Sequence, residues 1–141
     1  MTAKEFLKQY EYAQQRADMC RREYETEMLK IDAIGSTLAG DGQPHGTGVS
    51  RKTEDKAIRL ADKAMKWKEA ELDAIEVRQT VYDMIWDIEG IEGAALYEKY
   101  ISLLTWEQVA ETLHYSESGI HDVRRRALRI VDDRLNNQRE S

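Results

Sequence analysis

The chain has 141 residues, 34% charged and 41% hydrophobic, with one proline and a formal net charge of −6. This composition favours long solvated helices over a strand-rich fold, and the length allows one or two small domains with a modest core. The single cysteine, Cys20, excludes an internal disulfide framework and suits a reducing compartment.

No apolar run approaches the ~20 residues of a membrane span, and the start, Met1-Thr-Ala-Lys-Glu, lacks the apolar stretch of a signal peptide. A cytoplasmic protein is expected. The first predicted element is a helix opened by a capping box of Thr2 and Glu5, with Met1 and Phe6 in staple positions. From there Phe6, Tyr10, Ala13, Ala17, Cys20, Tyr24, Glu27, Ile31, Ile34 and Leu38 alternate steps of four and three. Such a seam buries one narrow stripe against a partner helix. Glu27 is its polar break, with Met28 beside it as a substitute. Cys20 lies on the seam and reads as a small core residue rather than a nucleophile.

Five glycines (35, 40, 42, 46 and 48) and Pro44 then predict a flexible loop over 35–50. Its end, Gly46 to Thr53, is no phosphate loop, because a glycine directly before Lys52 and a preceding strand are both missing. A second long helix is predicted from about Thr53 to Glu89, with a seam of Ile58, Ala61, Met65, Lys68, Leu72, Ile75, Gln79, Tyr82 and Trp86. Lys68 and Gln79 are its polar members. At ~1.5 Å per residue this helix spans on the order of 55 Å. The two helices can fold back as an antiparallel hairpin or pair across a dimer. A hairpin so long has little interior, so association is expected. Gly90 and Gly93 then mark a hinge, dividing the chain into a helical arm (1–93) and a C-terminal module (94–141).

Within the module, Thr105 and Gln108 form another capping box, with Leu104 and Val109 placed to staple it. Trp106, Val109, Ala110 and Leu113 share one helical face. The period breaks over Leu113-His114-Tyr115, and Ser116 is a good N-cap for a new helix. That helix turns Ile120, Val123, Ala127, Leu128 and Val131 inward. Glu117, Ser118, Gly119, His121, Asp122, Arg124 and Arg125 are left facing out. Two helices joined by so tight a turn have the layout of a helix-turn-helix, which offers its second helix to a DNA major groove. The fold class expected is therefore all-α: a long helical hairpin or coiled-coil arm followed by a helix-turn-helix.

Double-stranded DNA is the partner this layout implies. Ser118, Gly119, His121 and Asp122 would lie nearest base edges; Asp122 can accept from a cytosine amino group and His121 can bond a purine. Arg124, Arg125 and Arg129 would hold phosphates, with Thr105 and Trp106 at the start of the preceding helix and Ser116 at the start of the second assisting. Trp106 and Tyr115 read first as packing residues. From Ala94 onward seven cations (Lys99, Arg124, Arg125, Arg126, Arg129, Arg134, Arg139) face eight carboxylates (Glu98, Glu107, Glu111, Glu117, Asp122, Asp132, Asp133, Glu140). The module is thus −1, leaving −5 on residues 1–93. So few cations predict weak DNA binding by one copy, so a homo-oligomer, with a dimer favoured, or a polymerase partner would supply the rest.

The pattern running from Thr105-Trp-Glu-Gln-Val-Ala110 through Leu113, Tyr115-Ser116, Ile120 and Val123 to Ala127-Leu128 resembles the fourth conserved region of bacterial sigma factors. It is similar, more closely, to small phage proteins that carry this module at the C-terminus, akin to the late-transcription activators of Gram-positive phages. The Gly42–Ser50 segment and Leu96-Tyr-Glu-Lys-Tyr-Ile101 share in the likeness, which covers roughly residues 35–135. It implies a regulator acting near phage promoters in a bacterial host, with host RNA polymerase as a candidate partner. Glu117, Gly119 and His121 stand where sigma factors usually have basic residues, so the likeness carries the fold further than the base specificity. One rival reading is an interaction protein that binds RNA polymerase or another regulator and barely touches DNA. Another is a small terminase-type packaging subunit. An enzyme is not expected, because no carboxylates or nucleophiles converge from separate elements. His45, His114 and His121 have no zinc-ligand spacing, and no cofactor or metal is expected.

Overall fold

The computed structural model describes residues 1–41 and 47–140, with side chains over 1–32 and 51–140. The described residues form helices and turns only: α1 (Ala3–Leu7), α2 (Gln9–Asp41), α3 (Thr47–Ile85), α4 (Gly90–Tyr100), α5 (Trp106–Leu113) and α6 (Glu117–Glu140). No helix among them is long and apolar enough to cross a membrane. The predicted loop over 35–50 is entered by helix from both sides, and residues 42–46 lie outside the described residues.

The chain divides into two compact units, 1–13 with 74–141, and 14–73. Residue 93 lies inside the first. Its N-terminus begins with the capping box read from sequence: Thr2 Oγ1 accepts from the Glu5 N–H at 3.2 Å, and Glu5 Oε2 accepts from the Thr2 N–H at 3.2 Å. The Ala3 N–H donates to Asp132 of α6 at 2.8 Å, fixing the first turn of the chain to its last helix. Behind these bonds lies one apolar cluster that includes Leu7, Val81, Ile85, Leu96, Tyr100, Ala127 and Val131. A second joins Ala95, Val109, Ala110, Ile120 and Val123, with Leu104 and Leu113 packed against it.

The corner between α3 and α4 depends on two glycines. Gly90 has φ +80°, a conformation that L side chains rarely adopt. A Cβ on Gly93 would meet the Ile88 carbonyl oxygen at 1.8 Å, so the backbone approach itself requires glycine there. Arg134 closes the corner from outside by donating to the Met84 carbonyl at 2.9 Å and pairing with Asp87.

In the second unit α2 and α3 meet through Arg16–Asp73 (3.7 Å), Lys63–Glu23 (2.8 Å) and the Tyr24 and Trp67 rings, 5.3 Å apart. These pairings run in opposite directions along the two helices, so the helices are antiparallel within one chain here. The seam predicted from Phe6 of α1 along α2 is covered at each described position: Ala13 and Ala17 are buried, and Phe6, Tyr10, Cys20, Tyr24, Glu27 and Ile31 are half-buried. Glu27 itself keeps the inward place, 3.5 Å from Lys30, while Met28 is exposed. Ile34 and Leu38 lie outside the described side chains.

Of the seam predicted for α3, only Tyr82 turns inward, half-buried against the first apolar cluster. Ile58, Met65, Leu72, Ile75 and Trp86 are exposed. The inward face carries Leu60, Ala64, Trp67, Ala70, Ala74, Val77 and Val81 instead. Small alanines let a neighbouring helix approach closely, so this face packs despite its lower hydrophobicity.

Candidate functional site

α5 and α6 are fixed against one another by three consecutive local devices. Thr105 Oγ1 accepts from the Gln108 N–H at 3.2 Å while Gln108 Oε1 accepts from the Thr105 N–H at 2.9 Å, which sets where α5 begins. At its end His114 turns left-handed (φ 60°), and the Tyr115 N–H reaches back to the Ala110 carbonyl at 2.8 Å. This pair of features satisfies orphan carbonyls and stops the helix. Ser116 then restarts the chain, its Oγ accepting from the Gly119 N–H at 3.1 Å. A Cβ on Gly119 would lie 3.1 Å from Ser116 Oγ and 3.2 Å from Tyr115 Cδ1, so a larger residue would press on the turn.

With the start of α6 so fixed, Ile120, Val123, Ala127 and Val131 are buried and Leu128 is half-buried. Ser118, His121, Asp122 and Arg125 are exposed, and Gly119 and Arg124 half-buried. Ser118, His121, Asp122, Arg124, Arg125 and Leu128 line one open concavity of about 640 Å³. Five of the ten residues singled out from sequence are thereby brought together. Arg129 lines an adjoining hollow of about 220 Å³ with Asp122, Arg125 and Arg126. Thr105 and Ser116 are exposed, and both act as helix caps.

Three of the arginines are already engaged. Arg125 pairs with Asp122 at 2.6 Å, one helical turn back. Arg126 pairs with Glu92 at 2.9 Å, and this hydrogen bond holds the Glu92 carboxyl below the usual carboxylate range. The Arg124 guanidinium lies 5.3 Å from the Trp106 ring centroid. Arg129 is exposed and makes no ion pair among the described residues.

Trp106 is the residue around which this edge of the molecule is organised. It is half-buried, packs against both apolar clusters, and meets Tyr100 edge-on at 6.3 Å. Lys99 Nζ stands 6.0 Å from the same ring. Burial lowers the Lys99 pKa; Glu11 opposes that shift, and the charges of Lys8, Arg124 and Lys4 add to it. Lys4, Lys8 and Arg124 therefore sit within electrostatic reach of Lys99. None of the three lysines stood out in the sequence, because residues 4 and 8 are far in the chain from 99 and 124 until α1, α4 and α6 pack together.

Among the described residues no group of three or more His, Cys, Asp or Glu side chains is placed to hold a metal ion; His45 lies outside them. Compared with known protein families, curated proteins and solved structures, the chain matches none.

Proposed function

We propose that the chain is a sequence-specific DNA-binding regulator of transcription, working as a homo-oligomer in the cytoplasm of a bacterial host. In this reading α5 and α6 act as a helix-turn-helix of sigma fourth-region type. The first turns of α6 enter the major groove, with Ser118, His121 and Asp122 nearest the base edges and Gly119 allowing close approach. The observation that carries it is the exposed polar face on the first turns of α6, held out by the capped turn over 114–116. The likeness of this segment to small phage activators supports a phage or prophage role near promoters.

Charge sets how such binding would work. The exposed Arg125–Asp122 pair is an i,i+3 surface pair, worth no more than ~0.5 kcal/mol. Arg125 can therefore leave Asp122 for a phosphate at little cost, freeing Asp122 to accept from a cytosine amino group. Arg124 differs, because its contact with Trp106 keeps the guanidinium beside the start of α5. It would serve as a pre-positioned phosphate clamp together with Thr105, while Lys4, Lys8 and Lys99 raise the local positive potential. Arg129 would hold the next phosphate along α6.

Selection from a random duplex pool at fixed moderate salt tests the reading. An enriched motif is the expected result, and no enrichment at micromolar protein overturns it. A second reading, a module that binds RNA polymerase, draws on the self-pairing of Arg125 and Arg126 with Asp122 and Glu92. It predicts a polymerase pull-down that survives charge reversal of Arg124 and Arg125.

A further inference from the structure

Four cations gather at the Trp106 edge of the first unit, and among the described residues no carboxylate forms an ion pair with any of them. Lys99 of α4 and Arg124 of α6 stand over the same Trp106 ring, 6.0 and 5.3 Å from its centroid. α1 reaches this edge because the Ala3 N–H donates to Asp132 of α6 at 2.8 Å, and because Phe6 and Leu7 join the apolar cluster of Tyr100 and Trp106. Lys4 of α1 and Lys8 at its C-cap are four residues apart and share one side of the turn. Both bear on Lys99: burial lowers its pKa, Glu11 opposes the shift, and Lys8, Arg124 and Lys4 add to it.

Other cations of this unit are neutralised within the chain: Arg125 by Asp122, Arg126 by Glu92 and Arg134 by Asp87. The chain carries a net charge of −6, so carboxylates are in excess, yet Lys4, Lys8, Lys99 and Arg124 are left without one. Like charges brought together without a countercharge oppose folding, and an anion bound among them relieves the repulsion. Arg124 decides which anion this is. It also lines the open concavity of α6 with Ser118, His121, Asp122 and Arg125, so the cluster continues the face assigned above to the major groove. In a helix-turn-helix the first of the two helices crosses the sugar-phosphate backbone, and Trp106 opens that helix here. Lysine serves a phosphate as a point charge and needs no base to read.

We infer that Lys4, Lys8 and Lys99 contact backbone phosphates flanking the base pairs that α6 reads, so that α1, at the opposite end of the chain from α6, is part of the DNA interface. The inference rests on the DNA-binding reading above and adds to it a contact outside the helix-turn-helix. Glu11 is the counterweight, a carboxylate whose field acts on Lys99 against the attraction of a phosphate.

The test uses the full chain and the duplex that selection enriches. Lys4 and Lys8 lie outside the apolar clusters, so Lys4→Gln with Lys8→Gln should keep the helical circular dichroism. This double variant should select the same motif, bind it roughly tenfold more weakly at moderate salt, and show a log–log salt slope shallower by about two. Lys4→Arg with Lys8→Arg should keep both affinity and slope. Glu11→Gln should tighten binding roughly twofold. Ethylation interference should mark phosphates beyond the motif for the natural chain but not for the glutamine variant. If the natural chain binds its motif and the glutamine variant matches it in affinity and slope, this inference alone is overturned, and an acidic protein segment becomes the anion to test. If the natural chain enriches no duplex, the DNA-binding reading falls and this inference falls with it.

Discussion

The unit built from residues 1–13 and 74–141 and the unit built from 14–73 bury their apolar residues to very different degrees. The first encloses Leu7, Val81, Leu96, Tyr100, Val109, Val123 and Val131 almost completely. The second buries Ala17 alone among its described residues, and along it Met19, Leu29, Ile58, Met65 and Leu72 stay exposed. Both are helical and rich in charge. The difference lies in how many elements surround each helix: several short ones pack around α6 in the first unit, whereas α2 and α3 have only each other in the second. Helical periodicity states which residues share a face, but the number of neighbours decides whether that face is covered.

Overfilling the closed unit should have the largest effect. Gly93→Ala forces a Cβ into the Ile88 carbonyl, and the expected loss is at least about 3 kcal/mol, read as a thermal midpoint lowered far beyond that of any surface variant. Leu7→Ala empties a fully buried position and should cost about 3 kcal/mol at every protein concentration. The same truncation at Leu72 sharpens the comparison. Its cost in urea unfolding should be within about 0.5 kcal/mol, because the side chain is already exposed. Thr105→Ala removes half of the capping box at α5 and should cost about 1 kcal/mol.

The smallest effects are electrostatic. Arg126 and Arg134 hold the carboxyls of Glu92 and Asp87 below their ordinary values. The folded chain therefore binds protons at these groups less readily than the unfolded chain does. Their contribution is complete above the ordinary carboxylate range and disappears as the pH falls through the lowered folded values. Glu92→Gln and Asp87→Asn should flatten the fall of the unfolding midpoint below about pH 4.5, the ordinary glutamate value. Glu23 is shifted in the same direction by its hydrogen bond with Lys63, but it is fully exposed, so solvent screening leaves it little weight.

Much of the fold was legible in the sequence where the determinants are local. The boxes at Thr2 and Thr105, the cap at Ser116 and the inward residues of α6 all follow from spacings within a few residues. The α2 seam was legible for the same reason. The α3 seam was not, because its larger residues form the better repeat while alanines form the face that packs within the chain. Nor could spacing show that Arg124 and Lys99 both lie over Trp106 or that Lys4 and Lys8 come within electrostatic reach of Lys99, since those approaches depend on how α1, α4 and α6 pack. The left-handed turn at His114 was foreshadowed only as a break in the period.

The most direct test of the account is the salt dependence of binding to the duplex that selection enriches, measured for the natural chain and for Arg125→Ala. The account predicts that log affinity falls linearly with log salt, and that the variant binds more weakly with a slope shallower by about one. Equal affinity and equal slope for the two proteins would contradict the assignment of the exposed face of α6 to DNA.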